Sequence, residues 1–123
     1  MSDKKKVMVI EDDAQLCMQL GRIIEYFGYT PVTAMDGPEA RAKFKAESPD
    51  AVITDLYLPH VSGLDLLHEF HADRPDLPVI VLTGHPSEDS IRETLLEGGY
   101  TYVAKPVDLN HLRTLIQHAL GEK

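Results

Sequence analysis

A single cysteine, Cys17, among 123 residues leaves no partner for an internal disulfide, which fits a reducing compartment. No apolar run approaches the roughly 20 residues that a membrane-spanning helix needs. The opening Met1-Ser-Asp-Lys-Lys-Lys lacks the apolar segment of a secretory signal. Long basic runs are missing as well. Lys and Arg number 12 against 20 Asp and Glu, a formal charge of -8 that argues against direct nucleic-acid binding. Internal repeats, low-complexity stretches and linkers are absent. The remaining composition, 43% hydrophobic and 26% charged, is that of an ordinary globular protein rather than a disordered one. The length predicts one domain, able to hide about two-thirds of the surface of its extended chain.

Four short apolar runs recur at wide spacing: Val7–Ile10, Ala51–Thr54, Val79–Leu82 and Tyr100–Ala104. A fifth, Thr30–Ala34, carries Pro31 and reads as an edge strand. Runs apolar on both faces suit a parallel sheet covered by helices. Between them lie helical patterns. Residues 14–27 align Leu16, Leu20, Ile23, Ile24 and Phe27, with Gly28 as a left-handed stop. Residues 38–47 open on Pro38 at the first helical position. In 63–72, Ser62 and Asp65 form a capping box, and Leu64, Leu67 and Phe70 face inward. Residues 88–97 group Ile91, Leu95 and Leu96 ahead of Gly98-Gly99. The last helix, 109–120, is capped by Asp108 and turns Leu109, Leu112, Ile116 and Leu120 inward. The pattern is (βα)5, hence an α/β fold: a three-layer α/β/α sandwich around a five-stranded parallel sheet with right-handed connections. The last helix ends within three residues of the C-terminus, so no second domain is expected in this chain.

In such folds ligands bind outside the carboxyl ends of the strands. Those ends read Glu11-Asp12-Asp13, Asp55, Thr83 and Lys105. Glu11, Asp12 and Asp55 should lie together, and clustered carboxylates repel unless a cation compensates. Oxygen ligands without nearby cysteine or a histidine set suit Mg²⁺. Asp13 reads instead as an acidic residue at a helix N-terminus. A carboxylate beside Mg²⁺ can attack phosphorus to form an aspartyl phosphate, with Lys105 and Thr83 contacting the transferred group. Taken singly each motif is modest: an Asp at a strand end is usually a turn residue, and Lys105-Pro106 is commonly a solvated loop. Pro106 allows a cis bond that would turn the lysine inward.

Taken together, the motifs resemble the receiver domain of two-component response regulators over about residues 5–120. They are Glu11-Asp12, Asp55-Leu-Tyr-Leu-Pro59 with Gly63, Thr83-Gly84, and Gly98-Gly-Tyr-Thr-Tyr-Val-Ala-Lys-Pro106. The resemblance implies a flavodoxin-like sheet of order 2-1-3-4-5 and a cytoplasmic protein. It implies Asp55 as phosphoacceptor, with Glu11, Asp12, Asp55 and the Tyr57 main-chain carbonyl around Mg²⁺. Thr83 and Lys105 would contact the phosphoryl group. Thr83 and Tyr102 would form the switch, the tyrosine as the aromatic that changes rotamer on activation. The implied partners are a sensor histidine kinase or histidine phosphotransfer protein, a downstream protein bound through the 88–120 face, and a second copy in a homodimer. The implied role is a switch that assists its own phosphorylation and dephosphorylation, rather than a turnover enzyme. Glu11 stands where Asp is also frequent, and Gly99 where Ala is. Tyr57 and His85 stand where the family tunes water access to the phosphoryl group.

Other readings fit less well. A constitutive interaction module would not need all five chemical positions filled. A flavin or nucleotide binder needs a glycine- or hydroxyl-rich loop after the first strand, where this chain has Glu-Asp-Asp. A haloacid-dehalogenase-type phosphatase needs a second Asp where Tyr57 stands. The lack of an output segment fits a free-standing regulator or a receiver from a longer protein. Cys17 reads as a small core or boundary residue. The six histidines (His60, His68, His71, His85, His111 and His118) read as exposed polar residues, although His68 and His71 are three apart on one helix. Lys4-Lys5-Lys6 reads as a solvated tail.

Overall fold

The computed structural model describes residues 4–122. The chain runs β1 (Lys6–Ile10), α1 (Ala14–Tyr26), β2 (Thr30–Ala34), α2 (Gly37–Glu47), β3 (Ala51–Asp55), then two short strands β4 (Tyr57–Leu58) and β5 (Val61–Ser62). It continues through α3 (Gly63–Asp73), β6 (Val79–Thr83), α4 (Glu88–Leu96), β7 (Thr101–Ala104) and α5 (Leu109–Ala119). The main sheet is parallel with order β2-β1-β3-β6-β7, which is 2-1-3-4-5 once the antiparallel β4-β5 ribbon is set aside. This is a flavodoxin-like fold. The central strands β3 and β6 are buried along their whole length, as their continuous apolar runs require.

Two cores line the sheet. On one face Leu20 and Ile24 of α1 and Leu112 and Ile116 of α5 pack with Val9, Ile53 and Ile80. On the other, Phe44 of α2 stacks on Phe70 of α3 at 4.1 Å between ring centres, over Met8, Val52 and Val81. The end signals work as read: Gly28 has φ +98° after α1, Ser62 and Asp65 form a reciprocal capping box, and Asp108 caps α5. Pro31 does lie on an edge strand.

Several local expectations are corrected. Helix α2 starts at Gly37, with Pro38 inside its first turn. Leu66 joins Leu67 and Phe70 in the core while Leu64 is half-buried. In α4 the inward residues are Ser90 and Thr94, whereas Leu95 and Leu96 are 53% and 78% exposed. Leu109, in the first turn of α5, is also exposed. Lys6 is part of β1 and pairs with Glu47 at 3.1 Å, and Lys5 donates to the Leu120 carbonyl. His71 is half-buried, not exposed. Cys17 is buried, as expected.

Candidate functional site

The parallel register brings four strand ends level. Ile10 lies opposite Thr54, Asp55 opposite Leu82, and Thr83 opposite Ala104. The ladder continues one step past the strands: the Glu11 amide donates to the Ala34 carbonyl, Leu56 to Leu82, and Lys105 to Thr83. Glu11, Asp55, Thr83 and Lys105 therefore emerge together at the carboxyl edge, beside the point where strand order reverses.

Asp55 is buried at the end of β3. Its Oδ2 accepts from Lys105 Nζ at 3.0 Å and its Oδ1 from the Tyr57 amide at 3.3 Å. Glu11 is 1% exposed; its Oε1 accepts from the same ammonium at 2.7 Å and its Oε2 from the Asp13 amide at 3.0 Å. Lys105 thus bridges two carboxylates from the far side of the sheet, and the Lys105-Pro106 peptide bond is cis. Asp12 is exposed at the rim, and one carboxylate oxygen from each of Glu11, Asp12 and Asp55 lies within 4.8 Å of the others. Among the described residues no other such metal-capable group occurs. Asp13 points away and caps α1, accepting from the Gln15 and Leu16 amides.

Charge governs this crevice. Burial raises the Glu11 carboxyl above its ordinary range and the Asp55 charge adds to the rise; Lys105 and the Asp13 amide pull the other way without cancelling it. For Lys105 burial acts downward, but hydrogen bonds and charge from Glu11 and Asp55 outweigh it and lift the ammonium above its usual value. Three carboxylates facing one ammonium leave an excess of negative charge. The donors are all oxygen, closely spaced and partly open to water, the set that a small hard dication accepts. The residues fit Mg²⁺.

The remaining expected residues fall into two groups. Thr83 is buried at the end of β6, its Oγ1 accepting from the His85 amide at 3.0 Å. The Tyr57 and His85 rings meet edge-on, 6.5 Å between centres, on neighbouring strand ends. Tyr102 is set apart, half-buried on β7 against the core under α2 and α3. Gly63 has a plain reason to be glycine: a Cβ there would run into the Asp55 carbonyl, so the start of α3 can seat against the acceptor strand only without a side chain. The backbone donors of Asp13 and Tyr57 were not anticipated. Side-chain identity carries no signal for an amide that a turn aims at a carboxylate.

The family model of the response regulator receiver domain matches residues 7–117. The chain belongs to this family. Among curated relatives it is 35% identical over 106 residues to a probable transcriptional regulatory protein, TcrX, of Mycobacterium tuberculosis, covering 86% of this chain and 45% of that protein. It spans less than half the length of the curated relatives it matches. Among solved structures it resembles a response regulator receiver domain protein from Clostridium thermocellum, with TM-score 0.90, 33% identity, and coverage of 95% of this chain and 94% of that one. A beryllofluoride-activated NtrC4 receiver domain dimer matches at TM-score 0.88 and 30% identity, covering 94% of this chain and 96% of that one. Receiver domains are signalling switches rather than enzymes with turnover, and they bind Mg²⁺ at an acidic site such as the one described here. Membership implies phosphorylation-dependent signalling. Among the described residues no helix is long and apolar enough to cross a membrane.

Proposed function

We propose that residues 5–120 act as one receiver unit that accepts a phosphoryl group on Asp55 from the phosphohistidine of a sensor kinase or phosphotransfer protein. The observation that carries this reading is the placement of Asp55, a buried carboxylate at a central strand end, held by Lys105 at 3.0 Å beside Glu11 and Asp12. In the transfer an Asp55 oxygen forms a bond to phosphorus while the phosphorus–nitrogen bond of the donor breaks, its electron pair returning to the imidazole. Glu11, Asp12, Asp55 and the Tyr57 main-chain carbonyl would hold Mg²⁺, which offsets negative charge on the transferring group. Lys105 and the Thr83 hydroxyl would contact phosphoryl oxygens. The Tyr57 and His85 rings flank the approach of water, so that Asp55 and its neighbours also govern loss of the group. Tyr102, on the strand that ends in Lys105, turns inward as Thr83 moves.

Output is proposed through the face of α4, β7 and α5, where Leu95, Leu96, Tyr100 and Leu109 are exposed and support contact with a protein target or a second copy. The formal charge of -8 supports a protein partner over nucleic acid for this unit, and a cytoplasmic setting follows from the kinase partner. The test uses acetyl phosphate with Mg²⁺. Intact-mass and peptide measurements should find one phosphoryl group on Asp55, stable in acid and labile to base and hydroxylamine. Undiminished labelling of Asp55→Asn would refute the assignment.

A further inference from the structure

Helix α4 is exposed at both ends, at Leu95–Gly98 as well as at its entry, but its closing turn is met by two side chains of α3. Every residue from Gly84 to Asp89 is exposed, and the first buried side chain is Ser90. At the other end Gly98 turns with φ +90°, and the Gly99 amide donates to the Thr94 carbonyl at 2.8 Å, closing the helix. His68 and His71, three apart on one face of α3, both reach this closing turn. His68 Nδ1 lies 3.2 Å from the Glu97 carboxylate. His71 is half-buried and its Nε2 donates to the Leu77 carbonyl at 2.6 Å. A carbonyl only accepts, so Nε2 carries a proton, and in the neutral ring Nδ1 keeps the lone pair. That nitrogen faces Gly98 so closely that a Cβ there would stand 2.8 Å from it.

We infer that His71 is a positioning residue: its ring, fixed at one edge by the Leu77 carbonyl, seats the 97–99 turn against α3 and makes that turn the fixed point about which α4 moves. The helix then swings at its N-terminal end, next to Thr83 and His85; this motion, unlike the seating itself, rests on the proposed phosphoryl switch. The His68–Glu97 contact contributes little, because the His68 side chain is 75% exposed and pairs as an ion only when protonated.

Four measurements on the full chain test it. Nitrogen shifts of the His71 ring should report the Nε2–H tautomer at neutral pH; the Nδ1–H tautomer would overturn the assignment. Amide exchange, recorded without any phosphoryl mimic, should quicken about tenfold at residues 97–100 in His71→Ala and stay unchanged at 84–89. No change at the turn, or the same acceleration throughout the domain, would overturn the seating. The cycle of Gly98→Ala in wild type and in His71→Ala guards against a merely weakened fold. The strain of a positive φ is common to both backgrounds, so only the ring contact differs between them. Gly98→Ala should lower the unfolding midpoint more when His71 is present, and additive losses would refute the contact. With beryllium fluoride and Mg²⁺, amide shifts in wild type should decline from 84–91 to 95–99 and extend to the turn in His71→Ala. Equal shifts at both ends of wild-type α4 would overturn the pivot. No shift anywhere near Asp55 would overturn the switch reading and the pivot with it, leaving the seating to the exchange and the cycle.

Discussion

Helices α4 and α5 flank the same strand, β7, yet they are held by different physics. Leu112 and Ile116 of α5 are fully buried, Leu115 and Leu120 pack beside them, and Tyr29 donates to Glu122 at 2.5 Å just beyond the helix end. Each such aliphatic side chain is worth about 1.5–3 kcal/mol when buried. The inward residues of α4 are Ser90 and Thr94, whose hydroxyls donate back to the Ser87 and Ser90 carbonyls of the same segment. Those bonds satisfy the hydroxyls without tying the helix to the sheet. Its leucines face water. One side of β7 is walled by buried aliphatic side chains and the other by a helix whose inward hydroxyls bond its own backbone, a difference that suits the proposed switch.

The largest expected difference comes from truncating the two inward faces. Leu112→Ala should cost about 2–5 kcal/mol in urea unfolding, whereas Thr94→Val should stay within about 1 kcal/mol of wild type, since the lost hydroxyl bonds only its own helix. Equal losses would mean that α4 is anchored as firmly as α5.

Lys105, at the end of the shared strand, should come next. Lys105→Ala leaves Glu11 and Asp55 side by side without a cation. Breaking a fully buried pair costs roughly 3–5 kcal/mol, and with the ammonium 23% exposed about 2 kcal/mol is expected in metal-free unfolding. An unchanged midpoint would show that the bridge carries no stability.

A smaller effect is confined to alkaline pH. Burial, then the hydrogen bond and charge of Glu122, raise the Tyr29 phenol above its ordinary value of 10.0. The folded state therefore holds a proton that the unfolded chain releases, so stability present below pH 10 declines as pH rises beyond it. Tyr29→Phe should flatten that decline; an identical alkaline slope in both proteins would remove Tyr29 as its source. The smallest effect belongs to the exposed side of α4. Leu96→Gln should move stability by no more than about 0.5 kcal/mol, and a loss comparable to that of Leu112→Ala would show that Leu96 is packed in solution.

The same contrast separates what could be read from the sequence from what could not. The sheet, its flanking helices and the chemical residues at the strand ends were legible, because period, caps and strand-end position fix them locally. The inner face of α4 was not. Apolar periodicity favours Leu95 and Leu96, and hydroxyls that satisfy themselves within a helix look polar in sequence while costing little to bury. Leu109 misled for a related reason: it sits in the first turn of α5, where the helix has not yet reached the core. The β4-β5 ribbon has two residues per strand, too few to show a period. His71 gave no sign of its contacts, since neither the Leu77 carbonyl nor the bare Cα of Gly98 is visible in a side-chain pattern.

The outer margin of β2 has a consequence for how this protein behaves when concentrated. Thr30 turns its amide inward to Lys5, so the next residue, Pro31, faces outward where it has no amide to offer. Two residues on, the Thr33 carbonyl is already occupied by Lys43 at 2.5 Å. A neighbouring chain seeking to add a strand there meets a missing donor and a blocked acceptor in succession. Templated growth of the sheet is closed along that margin, and the chain can be crowded against its own copies without that edge seeding a fibril.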